Sequence, residues 1–155
     1  MKNILAKLLP AKVDNTICGM KLTVYIFAVI AVVSTIGSLI HLLSPDGGAA
    51  SIAGMNLSIA GAGGIIFAFA LWGSSQLVYA IVQLLVAFRY RSLVPLMYVL
   101  LIIEVLLRML VGYMKPVTFA HTPPGAIGNY VVLVLAVAML VLIFWGGKRS
   151  EVKAK

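Results

Sequence analysis

Four apolar runs, each close to the length of a membrane-crossing helix, dominate this sequence and leave it few ways to fold. About 20 consecutive apolar residues cross the hydrocarbon core as a helix, and in lipid the backbone must satisfy its hydrogen bonds internally. The runs cover about 22–43, 59–88, 93–114 and 130–145. The second is long enough to tilt or to start with a non-helical approach, and the third opens with Pro95 in its first turn, where a missing N–H costs little. All four are continuous rather than alternating, unlike the strands of an outer-membrane barrel. Composition agrees, with 63% hydrophobic and 10% charged residues, against about 25% charged in a soluble domain. The expected fold is all-α: an integral membrane bundle of four transmembrane helices over 22–146, preceded by a basic segment, 1–21, and followed by a basic tail, 147–155.

The positive charges set the expected orientation. Of twelve Lys and Arg residues, ten lie at one end of the helices: Lys2, Lys7, Lys12, Lys21, Arg89, Arg91, Lys148, Arg149, Lys153 and Lys155. The opposite end has Lys115, and Arg108 falls inside a span. The positive-inside rule therefore predicts both termini in the cytoplasm and a location in the cell inner membrane. The +8 net charge is thus mainly an orientation signal, and with no soluble domain to carry a basic face it does not point to nucleic acid. MKNILAKLL has the charge of a signal peptide, but the apolar run begins only after residue 21 and exceeds a signal core, so it reads as a retained helix. The leader is either a short amphipathic piece on the inner surface or a solvated basic tail. Cys18 is the single cysteine, which excludes disulfide-exchange chemistry and any cysteine-rich metal site; a lipidated Cys18 is the minor alternative to a bystander.

Polar residues inside the spans are the candidates for function. Trp72, Gln76, Tyr79 and Gln83 recur at i, i+4, i+7 and i+11, one helical face, with Ser75 beside it. Glu104 lies thirteen residues past Arg91, or ~19 Å into the membrane, and Arg108 one turn further. Counting back from Arg89 puts Gln76 at the depth of Glu104 and Trp72 at that of Arg108. Polar groups in lipid turn inward, so the second and third helices are expected to meet along this stripe.

Thirteen Leu, Ile and Val residues in the third run favour insertion by roughly 4 to 8 kcal/mol, while two unpaired central charges oppose it by about 5 to 7 kcal/mol. Glu104 and Arg108, spaced i, i+4 with the acid first, are therefore expected to pair, the carboxylate staying ionised and Gln76 or Ser75 taking up the remaining hydrogen bonds. The pair reads either as structural glue, as a polar ligand site, or as a proton-handling carboxylate, and an ion-paired acid is poorly suited to the last.

Elsewhere, His41 and His121 share the opposite membrane face as weak candidates for a metal or haem site, lacking a third ligand or a recognisable spacing. The 44–58 loop (SPDGGAASIAGMNLS) is too apolar to be merely solvated and is expected to lie partly helical along the surface. The glycines of GAGG, Gly61 to Gly64, suggest a close neighbouring helix or a ligand passing near the backbone. Thr122 to Gly125 reads as a rigid turn, with Asn129 as the N-cap of the last helix.

The order LWGSSQLVYAIVQLLVAFRYRSLVPLMYVLLIIEVLLR, then HTPPGAIGNY, then a final apolar helix resembles small bacterial four-helix membrane proteins akin to the DoxX-like group. The resemblance covers about 22–146, and the motifs carrying it are Trp72 to Gln76, the basic loop at Arg89 and Arg91, and the Arg108 helix. It implies a four-helix fold. Some DoxX-like proteins are associated with sulfur or quinone oxidoreductase systems, but the cysteines or cofactor motif for that chemistry are missing here, and no cofactor is expected. The function expected is that of an accessory or binding protein whose partners are the lipid bilayer and either a small apolar ligand, a lipid or a partner membrane protein, with a homo-oligomer left open. The alternatives are a small-multidrug-type proton-coupled transporter and a membrane enzyme or oxidoreductase subunit.

Overall fold

A computed structural model of the chain describes residues 2–145. The expected basic tail, 147–155, lies outside the described residues. Helix α1 spans Lys2–Leu8, and the long helices are α2 (Lys21–Leu43), α3 (Ala62–Phe88), α4 (Val94–Met114) and α5 (Pro124–Trp145). All four are long and apolar enough to cross a membrane, and at most 33% of any apolar window is buried inside the protein. Such helices leave broad Leu, Ile and Val faces outward, as lipid-embedded helices must. The fold is all-helical and membrane-embedded.

Two boundaries differ from expectation. The second span begins at Ala62 rather than at residue 59, because the chain turns through Gly61, whose φ of 86° is the left-handed conformation glycine tolerates best. The last helix begins at Pro124, six residues before the expected start at 130. Pro124 supplies a preset φ at the first helical position, so the second half of the expected turn, Pro124 and Gly125, already belongs to α5, and Asn129 sits inside the helix rather than capping it.

The helices associate as two antiparallel pairs, α2 along α3 and α4 along α5, with little direct contact between α3 and α4. Packing is closed at the end nearer the termini. There Val24, Phe27, Val86, Met97, Tyr98, Ala136 and Ile143 converge, joined by Ile17 and Cys18 of the leader. Tyr98 is 0% exposed, its hydroxyl donates to the Thr23 carbonyl at 2.7 Å, and its ring meets Phe27 edge-on at 5.5 Å.

The leader is anchored to this core. Lys7 Nζ donates to the Ile143 carbonyl at 2.9 Å, placing a cation where the C-terminus of α5 leaves carbonyls without helical partners. Ser92 and Asp14 are tied by their backbones and by the Ser92 hydroxyl, which donates to the Asp14 carbonyl at 2.9 Å. The Asp14–Cys18 stretch therefore packs as a plug under the bundle, which neither reading of the leader included.

The 44–58 loop folds into successive turns rather than an α-helix. The Asp46 carboxylate organises it by accepting from the backbone N–H groups of Gly48 (2.9 Å), Ala50 (3.1 Å) and Ser51 (2.7 Å). The bonds from Ser51 and Gly48 hold the Asp46 carboxyl down from its ordinary 3.8 to about 2. A lowered folded-state pKa stabilises the loop at pH above the ordinary value, and that contribution disappears as pH falls from 3.8 toward about 2. Amide protection at Gly48, Ala50 and Ser51 should accordingly stay flat from neutral pH to about 4 and fall across that window. In Asp46→Asn the fall should vanish; its persistence would assign the pH response to another group.

Candidate functional site

Towards the loop end the two helix pairs diverge around a cavity of about 260 Å³, lined from all four long helices. Helix α2 contributes Ser34, Gly37, Ser38 and His41; α3 contributes Trp72, Gln76 and Tyr79; α4 contributes Leu101, Glu104 and Arg108; and α5 contributes Gly125, Gly128, Asn129 and Val132. Each set repeats at spacings of three or four residues, the period that places side chains on one helix face. The small residues of α2 and α5 open the space, and the large polar residues of α3 and α4 project into it.

Trp72, Gln76 and Tyr79 thus share a cavity with Glu104 and Arg108. The expectation that the second and third helices meet along this stripe is corrected. α3 packs on α2 instead, and the cavity separates the stripe from α4. Ser75 borders the outer side of this space, and its hydroxyl donates back to the Leu71 carbonyl at 3.2 Å. Gln83 is sealed in the closed half of the bundle, 1% exposed, and does not line the cavity.

Glu104 and Arg108 do pair, but loosely. Arg108 Nε stands 3.8 Å from Glu104 Oε1, an ion-pair distance too long for a hydrogen bond. Arg108 Nε is buried with no hydrogen-bond partner among the described residues. The rest of each charged side chain is open to the cavity, at 33% exposure for Arg108 and 32% for Glu104. Among the described residues neither Gln76 nor Ser75 hydrogen-bonds the pair, correcting that expectation, because both stand across the gap on α3.

With water in the cavity, this open and loose geometry lowers the expected energetic coupling from the about 3 to 5 kcal/mol of a truly buried pair to about 1 kcal/mol. Thermal unfolding of Arg108→Leu, Glu104→Leu and the double variant should give a cycle with that small favourable coupling, the double variant being more stable than Arg108→Leu alone. A coupling of several kcal/mol would mean that the pair closes in the membrane.

The loop end is roofed by aromatic side chains and both histidines. His41 packs on Trp72 at 4.9 Å and Phe69 at 5.8 Å between ring centroids, and its Nδ1 lies 2.7 Å from the Gly47 carbonyl. His121 Nε2 lies 3.2 Å from the Ile52 carbonyl. The two histidines therefore grip different parts of the same loop through its backbone. No group of three or more metal-ligating side chains is found among the described residues.

The GAGG glycines meet no neighbour: a Cβ at Gly61, Gly63 or Gly64 would find open space. The close helix approach that they suggested occurs at Gly73, where a Cβ would fall 2.7 Å from His41 Cβ and 2.8 Å from the Leu42 nitrogen. Sequence reasoning also missed the α2 and α5 walls of the cavity. Their signal was present as Ser34, Gly37, Ser38 and His41 in one run and Gly125, Gly128, Asn129 and Val132 in the other, both at i, i+3, i+4 and i+7.

No family model matches this chain, and neither a curated protein nor a solved structure is similar to it.

Proposed function

We propose that the protein is a binding or accessory protein of the cell inner membrane that takes a small, largely apolar ligand into the intramembrane cavity, with both termini in the cytoplasm. The observation that carries this reading is that the polar stripe of α3 and the charged pair of α4 face a shared cavity rather than each other. A purely structural pair would bring the helices together and satisfy its hydrogen bonds. Here about a third of each charged side chain stays open, and both line the cavity, within reach of a third component.

The orientation rests on the ten-to-one charge asymmetry between the two ends. Reporter fusions after Lys155 and within the loop at Gly47 should place the tail in the cytoplasm and the loop outside; the reverse result removes the topology and the inner-membrane assignment. The small-multidrug-type transporter reading has less support, because its carrier acid must exchange protons and Glu104 has a guanidinium 3.8 Å away.

Gly128 tests the cavity directly. It lines the space, and a Cβ there would touch nothing within 4 Å. Gly128→Leu should fold with a melting temperature equal to or above that of wild type while filling part of the cavity. Protein extracted in mild detergent should carry a bound small molecule by native mass spectrometry, and Gly128→Leu should have lost it. Identical ligand content in the two proteins would sink the proposal.

A further inference from the structure

Two further cavities adjoin the site along the seam between α3 and α4, and together they resemble a groove for an amphiphile. Both border Trp72, Glu104 and Leu107. The one at the loop end is an open cleft of about 680 Å³ bordered by Arg108, Lys115 and Asn129. Its neighbour, deeper in the membrane, is an open cleft of about 400 Å³ bordered by Leu100, Ile103 and Leu107. Each volume falls within the roughly 300–1,000 Å³ typical of small-ligand sites.

Charge and length define what would fit. Lys115 ends α4 as its C-terminal cap, seven residues past Arg108, and both border the loop-end space; with Glu104 they leave it one positive charge in excess. A singly charged anion balances that excess, whereas a doubly charged phosphate would exceed it. The Arg108 side chain, a third exposed and with Nε too far from Glu104 to donate to it, keeps guanidinium donors for such a group. From Met114, the last residue of α4, down to Leu100 the helix rises about 21 Å, longer than the roughly 15 Å of hydrocarbon in one leaflet. That length holds one acyl chain together with its headgroup, polar end at the loops and tail among Leu100 and Ile103.

We propose that the ligand of this site is a long-chain fatty-acid carboxylate, its head between Arg108 and Lys115 and its chain in the α3–α4 seam. This rests on the binding reading given above and adds the ligand's chemistry and pose. Lys115 also stands where a cation offsets the C-terminal dipole of α4, a role that requires no contact with any ligand.

The test uses the full chain in detergent with Trp145→Phe, which leaves Trp72 as the single tryptophan. The probes are stearate dibrominated at mid-chain, the corresponding neutral alcohol, and a lysophosphatidic acid carrying the same chain, all in buffer alkaline enough to ionise the carboxylate. Quenching of Trp72 should saturate with the carboxylate and be at least about tenfold weaker in apparent affinity with the alcohol, the difference expected for one charged hydrogen bond. Lys115→Gln should weaken carboxylate binding about tenfold, with Lys115→Arg restoring it, while leaving alcohol binding unchanged. Equal binding of alcohol and carboxylate would overturn the carboxylate assignment while leaving the cavity's binding role standing, and tighter binding of the lysophosphatidic acid would do the same in favour of a phosphate head. If none of the three quenches Trp72 and Gly128→Leu carries the same co-purified molecules as wild type, both readings fail together.

Discussion

Gly73→Ala should lower stability by about 1 to 3 kcal/mol, and Gly73→Val should abolish folded yield in detergent. A Cβ at this position would lie 2.7 Å from His41 Cβ, 2.8 Å from the Leu42 nitrogen and 2.9 Å from the His41 carbonyl carbon. Two of those atoms are backbone, so a rotamer change cannot relieve the clash and α2 must move away from α3. Overpacking of this kind typically costs about 1–3 kcal/mol and sometimes more. In a membrane the loss is felt in full, because helix association there relies on close packing rather than on the exclusion of water. Gly64→Ala is the control, having open space around the added methyl; it should leave stability unchanged or raise it by up to about 1 kcal/mol, as alanine is the better helix former. The comparison is thermal unfolding followed by circular dichroism. A Gly73→Ala melting temperature equal to wild type would mean that the α2–α3 contact is not the main tie of that helix pair.

Tyr98→Ala should cost about 3 to 5 kcal/mol, the range for removing a buried aromatic side chain from a well-packed core. Tyr98 is 0% exposed, and its neighbours in the core come from the leader and all four long helices. The vacated space cannot be filled from one side without moving the others. Tyr98→Phe separates the ring from its hydroxyl: it keeps the edge-on contact with Phe27, loses the bond to the Thr23 carbonyl, and should cost only about 1 kcal/mol. The ratio between the two variants is the diagnostic result. If Phe were as damaging as Ala, the hydroxyl rather than the packing would hold α2 against α4. Neither substitution touches the cavity polar groups, so bound-ligand content per folded molecule should be preserved in Tyr98→Phe.

The contrast between the closed and open halves of the bundle is the feature from which function follows. Around Tyr98 buried side chains from all four helices meet in the core, while one to two turns further along small residues on α2 and α5 face large polar ones on α3 and α4. Gly37, Gly125 and Gly128 hold the walls apart from any added Cβ, and His41 and Trp72 close the loop end. The result is a polar space among apolar helices, with open clefts along the α3–α4 seam.

Much of this protein is determined by local chemistry that can be read along the chain. Four stretches of apolar residues must be helices once placed in lipid, whatever else they touch, because no other arrangement satisfies the backbone. The i, i+4 spacing alone brings Glu104 and Arg108 onto one face, and counting 1.5 Å per residue sets Gln76 and Glu104 at one depth. Partner choice is different. A polar stripe specifies that it faces inward, but Trp72, Gln76 and Tyr79 could meet another helix or border a space, and the tertiary structure decided for the space because Gly73 lets α2 approach α3 more closely than α4 can. The same is true of GAGG and Gly73: both offer a bare backbone, and only the course of the neighbouring chain determines which is used. Asn129 was read as a cap because the Pro-Gly turn before it looked like a helix boundary, whereas Pro124 begins the helix and carries Asn129 inward to the cavity. Side-chain period sets which face of a helix is polar; which neighbour that face meets depends on where packing is tightest elsewhere in the bundle, and this no single segment encodes.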